Sequence, residues 1–80
     1  MIETRLAQHF LNPKSIAIVG ASADPKKTGS RIQRFLVAHG YKGKIYPVNP
    51  NRDNIFGLKC YSNLKKINEK VYHIFIALDG

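Results

Sequence analysis

The feature that most constrains the fold is a short apolar run, Ser-Ile-Ala-Ile-Val over residues 15–19, that ends at Gly20. A run that is apolar on both faces is typical of a strand buried between helices in a parallel sheet. The residues that follow, 20–29, are turn-forming, small or charged, which indicates a loop. The sequence therefore predicts a buried strand whose carboxyl end opens directly into a polar loop.

A helix is predicted next, from about Ser30 to His39. Either Thr28 or Ser30 is placed to cap its start, and Gly40 is placed to end it in a left-handed turn. The helical spacing of apolar residues predicts a buried stripe formed by Ile32, Phe35 and Leu36.

The second half of the chain contains two further strand patterns and several short elements. Pro47 cannot donate a ladder hydrogen bond, so it belongs at a strand end or on an edge strand. In order, the predicted elements are a strand over Lys44–Val48, a polar loop over Asn49–Asn54, a short edge strand over Leu58–Tyr61, helical turns over Ser62–Lys66 that Ser62 caps, and a strand over His73–Leu78.

The alternation of strands and helix is that of half a doubly wound α/β sheet with parallel strands. Residues 1–12 carry Leu6, Phe10 and Leu11 at helical spacing, which predicts an N-terminal helix before the α/β part over residues 13–80. Because a parallel sheet normally has both faces covered, and nothing follows the last strand to cover it, we expect the chain to be part of a longer protein.

The net charge of the chain limits the classes of partner that it is expected to bind. The chain has 80 residues, with 13 Lys plus Arg against 5 Asp plus Glu, a net charge of +8. This excess indicates an anionic partner: nucleic acid, an acidic lipid surface or a phosphorylated small molecule. Nucleic acid is disfavoured, because the tyrosines fall on strand ends and turns rather than on one stacking face.

The composition argues against a disulfide-stabilised domain, a zinc-binding domain and a membrane-spanning protein. The one cysteine, Cys60, cannot form an internal disulfide, and His9, His39 and His73 are too scattered to complete a zinc set with it. No apolar run approaches the ~18 residues of a membrane helix, and no secretory signal opens the chain. We therefore predict a cytoplasmic protein that does not enter a membrane.

The loop after the first strand is a candidate phosphate-binding element, since α/β sheets bind ligands beyond the carboxyl ends of their strands. Gly20 and Ala21 allow close backbone approach, Ser22 can donate a hydrogen bond, and Lys26 and Lys27 add positive charge. Ser22 occupies the second glycine position of the Gly-x-Gly-x-x-Gly fingerprint, and the Gly-Lys-Ser/Thr ending of a phosphate loop is absent. An ordinary strand-to-helix connection stays open as an alternative.

The loop after the second long strand, Asn49-Pro50-Asn51-Arg52, lacks the carboxylate that NAD-binding folds place there. The guanidinium of Arg52 can instead bind a phosphate through two parallel hydrogen bonds. This favours a ligand with a phosphorylated ribose, either coenzyme A or NADP. A solvated Arg52 without a ligand is the alternative.

Three segments together carry a family resemblance. They are Asn-Pro-Lys-Ser-Ile-Ala-Ile-Val-Gly-Ala-Ser over residues 12–22, Tyr-Pro-Val-Asn-Pro-Asn over 46–51 and Gly-Leu-Lys-Cys-Tyr over 57–61. In order and spacing they resemble the CoA-binding domain of NDP-forming acyl-CoA synthetases. That family includes ADP-forming acetate–CoA ligases, the succinyl-CoA ligase α subunit and related protein lysine acetyltransferases.

The resemblance implies a Rossmann-like three-layer domain with a parallel sheet over residues 13–80, which binds coenzyme A and is not catalytic alone. It would belong to an acid–thiol ligase or acyltransferase whose remaining domains or subunit carry a phosphohistidine. Leu78-Asp79-Gly80 would form the far rim of the site. An NADP-binding half-domain and a stand-alone CoA-binding protein are the alternatives. The predicted ligand-binding residues are Gly20, Ala21, Ser22, Lys27, Asn49, Pro50, Asn51 and Arg52.

Overall fold

The computed structural model describes residues 14–78. The predicted N-terminal helix, Asp79 and Gly80 lie outside these residues, so the predicted domain bounds stay a prediction. In chain order the elements are β1 (Ser15–Val19), α1 (Thr28–Ala38), β2 (Lys44–Val48), β3 (Asn54–Ile55), β4 (Leu58–Lys59), a 3₁₀ turn (Leu64–Lys66) and β5 (His73–Ile76).

Within the described part of the chain, β1 is the central strand of a parallel sheet with the order β2-β1-β5. Ile16 pairs with Ile45 of β2 on one side and with His73 of β5 on the other. The first four residues of β1 are buried, as expected for a strand covered on both faces. The arrangement confirms the predicted Rossmann-like α/β class.

Each face of the sheet has its own apolar core. On one face Ile16 and Ile18 pack in a cluster with Leu36 of α1 and Ile55 of β3. The other face is covered by the segment that leads to β5, where Ile67 packs with Ala17, Tyr46 and Val48. The sheet is therefore the middle layer, with α1 on one side and this connecting segment on the other.

The start of α1 differs from the prediction. The helix begins at Thr28, and the capping position is Lys27, which makes no side-chain cap hydrogen bond. Capping by Thr28 or Ser30 was therefore a wrong prediction, and Ser30 lies fully buried inside the first turn. The C-terminal end of α1 agrees with the prediction, because Gly40 has a φ of +74° and Tyr41 N–H donates to Leu36 O at 2.9 Å.

The predicted buried stripe of α1 is also corrected. Leu36 is buried and Ile32 is partly buried, but Phe35 is 53% exposed and stacks on the His39 ring. Gln33 is buried instead, because its Nε2 donates to Ile55 O at 3.1 Å. The helix packs against the β3–β4 hairpin as well as the sheet. Its buried face therefore includes Gln33 and not Phe35.

The region after β2 contains a hairpin that the sequence prediction missed. β3 and β4 pair antiparallel, so Asn54 belongs to a strand rather than to a loop and the predicted edge strand over 58–61 is shorter. Phe56 and Gly57 make the turn, with φ values of +52° and +83°. Tyr61 forms a separate parallel bridge with Val48.

Two element boundaries change as well. The predicted helical turns over 62–66 are instead a 3₁₀ turn over Leu64–Lys66. Its capping position is Asn63, so the predicted cap by Ser62 is wrong. β5 ends at Ile76, two residues before the predicted end of that strand. Pro47 lies in β2, which is one of the two outer strands of the described sheet, as predicted.

Candidate functional site

The loop that begins at Gly20 is held over the end of β2. The N–H groups of Gly20 and Ala21 both donate to Val48 O, at 3.1 and 3.2 Å. Gly20 has a φ of +88°, and a Cβ at this position would lie 2.7 Å from Ala77 O. Both the conformation and the space therefore require glycine here.

The first turn of α1 packs directly on this loop. A Cβ on Gly29 would lie 2.3 Å from Gly20 O and 2.8 Å from the Cα of Ala21. Because no side chain caps the helix at Lys27, the helix start presents backbone N–H groups and the positive end of its dipole beside the loop. This combination favours an anion in the loop.

Ser22 organises the loop that leads into α1. Its Oγ accepts a hydrogen bond from Asp24 N–H at 2.9 Å, and Asp24 Oδ1 accepts one from Lys26 N–H at 2.9 Å. The Ser22 hydroxyl proton is left to donate elsewhere, while the side chain of Lys27 is exposed.

Asn49 connects the two loops that the sequence predicted separately. Its Nδ2 donates to Ala21 O at 2.8 Å, and its Oδ1 accepts from Asn51 N–H at 2.7 Å. Its backbone N–H donates to Tyr61 O at 2.9 Å. One side chain therefore fixes the glycine loop and the loop after β2 relative to each other.

A hollow of about 860 Å³ lies beyond the carboxyl ends of β1 and β2. Four of the predicted residues line it: Gly20, Asn49, Pro50 and Asn51. The rest of its lining is Val19, Val48, Ser62, Asn63, Leu64 and Lys65. The structure thus brings the two predicted loops into one site and adds a wall, residues 62–65, that the prediction missed.

The other four predicted residues are not among those that line this hollow. Ala21 is 1% exposed and packs in the core beneath α1, so its contribution to the surface is its backbone. Ser22 and Lys27 lie farther along the glycine loop. Arg52 is exposed, and its backbone N–H donates to Asn49 O at 3.4 Å.

Cys60 lies beneath the loop after β2. It is buried, and its Sγ–H donates to Asn49 O at 3.6 Å. Burial raises the pKa of the Cys60 thiol above its usual value. The group therefore stays a neutral thiol at neutral pH and packs as a small apolar side chain, as predicted.

Over residues 14–78, no cluster of three or more His, Cys, Asp or Glu side chains is arranged to hold a metal ion. No helix in the same range has the length and apolarity needed to cross a membrane.

Comparison with known proteins identifies the family. The CoA binding domain family matches residues 14–79, so the chain belongs to it. The ADP-forming acetate–CoA ligase II of Archaeoglobus fulgidus is 47% identical over 66 residues, which are 82% of this chain and 10% of that protein. This match and the family confirm the predicted resemblance.

Solved structures agree in sequence and fold. The dinucleotide-forming acetyl-coenzyme A synthetase 1 of Candidatus Korarchaeum cryptofilum, in complex with phosphate and ADP, is 46% identical with a TM-score of 0.81, over 89% of this chain and 15% of that one. A conserved hypothetical protein from Pyrococcus furiosus is 40% identical with a TM-score of 0.73, over 81% of this chain and 54% of that one.

The chain is therefore a CoA-binding domain, and the predicted ligand, coenzyme A, is confirmed by the family. The chain spans about a tenth of the ligase relative reported above and about half of the smaller hypothetical protein.

Proposed function

We propose that this domain holds coenzyme A for an NDP-forming acyl-CoA synthetase, an acid–thiol ligase. The proposal rests on its similarity to ADP-forming acetate–CoA ligases and on one observation, the bond from Asn49 Nδ2 to Ala21 O that makes the two loops one surface. The domain would present the thiol carrier, while the remaining domains or a partner subunit would carry the phosphohistidine that passes the acyl phosphate on. By itself the domain performs no catalysis.

Within this surface, each of the two loops would bind a different part of the nucleotide. The pyrophosphate would lie at the glycine loop, where Gly20, Ala21 and Ser22 offer backbone and hydroxyl groups beside the start of α1. Lys27 would add a positive charge there. The adenosine would occupy the hollow against Asn49, Pro50 and Asn51, with the guanidinium of Arg52 beside it to bind a ribose phosphate.

The test compares coenzyme A with dephospho-coenzyme A by isothermal titration calorimetry. We expect the protein to prefer coenzyme A, and Arg52→Ala to reduce that preference because a phosphate contact is lost. Arg34→Ala is the matched control, since Arg34 is an exposed arginine on α1 outside the hollow. Equal affinities of the wild-type protein for the two ligands would contradict the assigned phosphate contact.

NADP is the competing ligand. Fluorescence titration with NADPH distinguishes the two, because tight NADPH binding that coenzyme A does not displace would favour an oxidoreductase domain. A stand-alone CoA-binding protein is the other alternative, and the presence of a phosphohistidine domain in the same natural reading frame decides between it and a ligase. The cytoplasmic location stays a prediction.

A further inference from the structure

The outer wall of the hollow is formed by residues 62–65, which follow the last of the three segments that carry the family resemblance. Tyr61 lies parallel to the end of β2: its N–H donates to Pro47 O, and its O accepts from Asn49 N–H, both at 2.9 Å. Residues 62–65 therefore pass beyond the outer side of the β2 end. The hollow extends from Val19 and Gly20 at the β1 end to this segment.

The position of this wall is fixed by local structure. The 3₁₀ turn over Leu64–Lys66 is closed by hydrogen bonds from Lys66 N–H to Asn63 O and from Ile67 N–H to Leu64 O, both at 3.2 Å. Ile67, which follows the turn, is buried in the core with Tyr46 and Val48. The backbone that carries Lys65 is thus anchored to the sheet, although its side chain is exposed.

Lys65 differs from the other residues that line the hollow. Of the ten described lining residues, it alone carries a full charge, and the others are apolar or neutral polar groups. Val48, Pro50 and Leu64 provide apolar surface, whereas Asn49 and Asn51 provide amides. An apolar floor with amide groups and a cation at one end suits a base and a sugar that bear a terminal phosphate.

The direction of the ligand follows from the proposed function, on which this step rests. With the pyrophosphate at Gly20 and the start of α1, the adenosine crosses the end of β2 toward the outer wall. That distance is about two strand spacings, roughly 10 Å, which is the length scale of a nucleoside. The ribose of such a ligand carries both the base and the 3′-phosphate, and Lys65 in the outer wall has a flexible side chain that can extend back to that phosphate.

We propose that Lys65 determines specificity by binding the ribose 3′-phosphate of coenzyme A from the outer wall of the hollow. A lysine suits this place because its compact ammonium group on a flexible stem can follow a phosphate monoester that is open to solvent. Lys65 acts together with Arg52, which lies in the loop after β2. The sequence prediction assigned this charge to Arg52 alone.

The experiment measures the affinities of the 80-residue protein for coenzyme A and for dephospho-coenzyme A by calorimetry at low salt. We expect Lys65→Ala to weaken coenzyme A binding about tenfold, because a charge-assisted hydrogen bond is lost. Dephospho-coenzyme A binding should change less than about twofold, since it never made that contact. Lys65→Arg should keep the preference for coenzyme A, because it keeps the charge.

Lys66→Ala is the matched control, because Lys66 belongs to the same 3₁₀ turn but is not among the lining residues. It should behave as the wild-type protein does. Circular dichroism melting of each variant verifies that the fold is retained, and a Lys65→Gln variant, which keeps most of the side-chain length, replaces Lys65→Ala if the latter is unfolded.

Two results would overturn the proposal for Lys65, and a third would overturn the proposed function on which it rests. An equal loss of affinity for both ligands would mean that Lys65 does not contact the 3′-phosphate. A Lys65→Ala variant that keeps the wild-type preference while Arg52→Ala abolishes it would assign the phosphate to Arg52. A wild-type protein that binds neither ligand would instead refute the proposed function itself, so the two failures are distinguishable.

Discussion

The two flanks of the central strand β1 differ in how they are covered. On the β2 side Tyr46 and Val48 are buried under Ile67, and the loops at the strand ends are joined through Asn49. On the β5 side the same face of the sheet is open in the described part of the chain. There the large apolar side chains of alternate residues are exposed: Tyr72, Ile74, Ile76 and Leu78.

The strand register shows that β5 is fully hydrogen-bonded to β1, so the two sides differ in how their side chains are covered and not in how their strands pair. Ala17 pairs with Ile74 in the parallel ladder, yet Ala17 is fully buried whereas Ile74 is 55% exposed. The connecting segment over 61–71 lies on β1 and β2 and leaves this face of β5 uncovered among the described residues, whereas Phe75 on the opposite face packs against the core under α1. On this face the apolar packing therefore lies on the β2 side, where the candidate site also lies, and substitutions there should have the larger effects.

The largest difference is expected between two isoleucines on these flanks. Ile67, which packs on Tyr46 and Val48 on the β2 side, is buried, so Ile67→Ala should lower the free energy of unfolding by about 2–5 kcal/mol. Ile74→Ala should cost less than about 1 kcal/mol, because the side chain buries little surface. Urea denaturation followed by circular dichroism measures both values.

Similar losses for the two variants would mean that the Ile74 face is covered in solution. The comparison between the flanks would then fail, and residues outside 14–78 or a second molecule would have to supply the cover.

The second prediction concerns the contact between α1 and the glycine loop. Gly29→Ala places a Cβ 2.3 Å from Gly20 O, so the helix start must move away from the loop. We expect a loss of about 2–3 kcal/mol, as for an overpacked core, together with weaker coenzyme A binding. The thermal midpoint and calorimetric titration are the measurements.

Gly40→Ala is the control for this substitution. Gly40 has a positive φ, which Gly29 lacks, and a Cβ at Gly40 would meet nothing within 4 Å. It should cost about 1 kcal/mol through backbone strain and leave coenzyme A binding unchanged. If the two variants bind coenzyme A equally well, the helix start does not shape the ligand site.

The third prediction tests the side chain that joins the loops. Asn49→Ala removes the donor to Ala21 O and the acceptor for Asn51 N–H, which should cost about 1–2 kcal/mol of stability. Coenzyme A affinity should fall more than stability alone explains, because the hollow loses its fixed shape. Asn54→Ala is the control, since Asn54 Oδ1 accepts a similar bond from Gly57 N–H in the hairpin, outside the hollow.

An Asn49→Ala variant that binds coenzyme A as tightly as Asn54→Ala does would show that the loops keep their arrangement without this side chain. The β2 flank would then be defined by its apolar core alone.

The parts of the fold that the sequence predicted correctly are those determined by local pattern. The apolar run before Gly20 identified β1, and Gly40 ended α1, because each depends on burial or backbone conformation at that position. The two loops of the candidate site followed from their place at strand ends.

The parts that the sequence did not predict depend on tertiary contacts. The burial of Gln33 needs Ile55 O from a hairpin whose turn places Phe56 at positive φ, where glycine or asparagine is usual. The wall over 62–65 depends on the bridge between Tyr61 and Val48, which no local pattern encodes. Nothing in the spacing of Lys65 along the chain indicates that it reaches the same hollow as Gly20.

The smallest predicted effect concerns pH and Cys60, which packs beneath the loop after β2. Burial raises the pKa of this thiol in the folded protein above its value in the unfolded chain. Above the unfolded pKa the unfolded chain therefore binds fewer protons than the folded protein does. The stabilising contribution of Cys60 is complete below that pKa and is lost as pH rises through the folded pKa.

Thermal melting of the wild-type protein and of Cys60→Ala from pH 7 to pH 10 measures this contribution as a difference. Burial also raises the pKa of Tyr41, but Tyr41 is present in both proteins, so its titration cancels. The difference between the two midpoints should shrink as the solution becomes alkaline. A difference that stays constant with pH would mean that the thiol is as solvated in the folded protein as in the unfolded chain, and the loop after β2 would then be no better covered than β5.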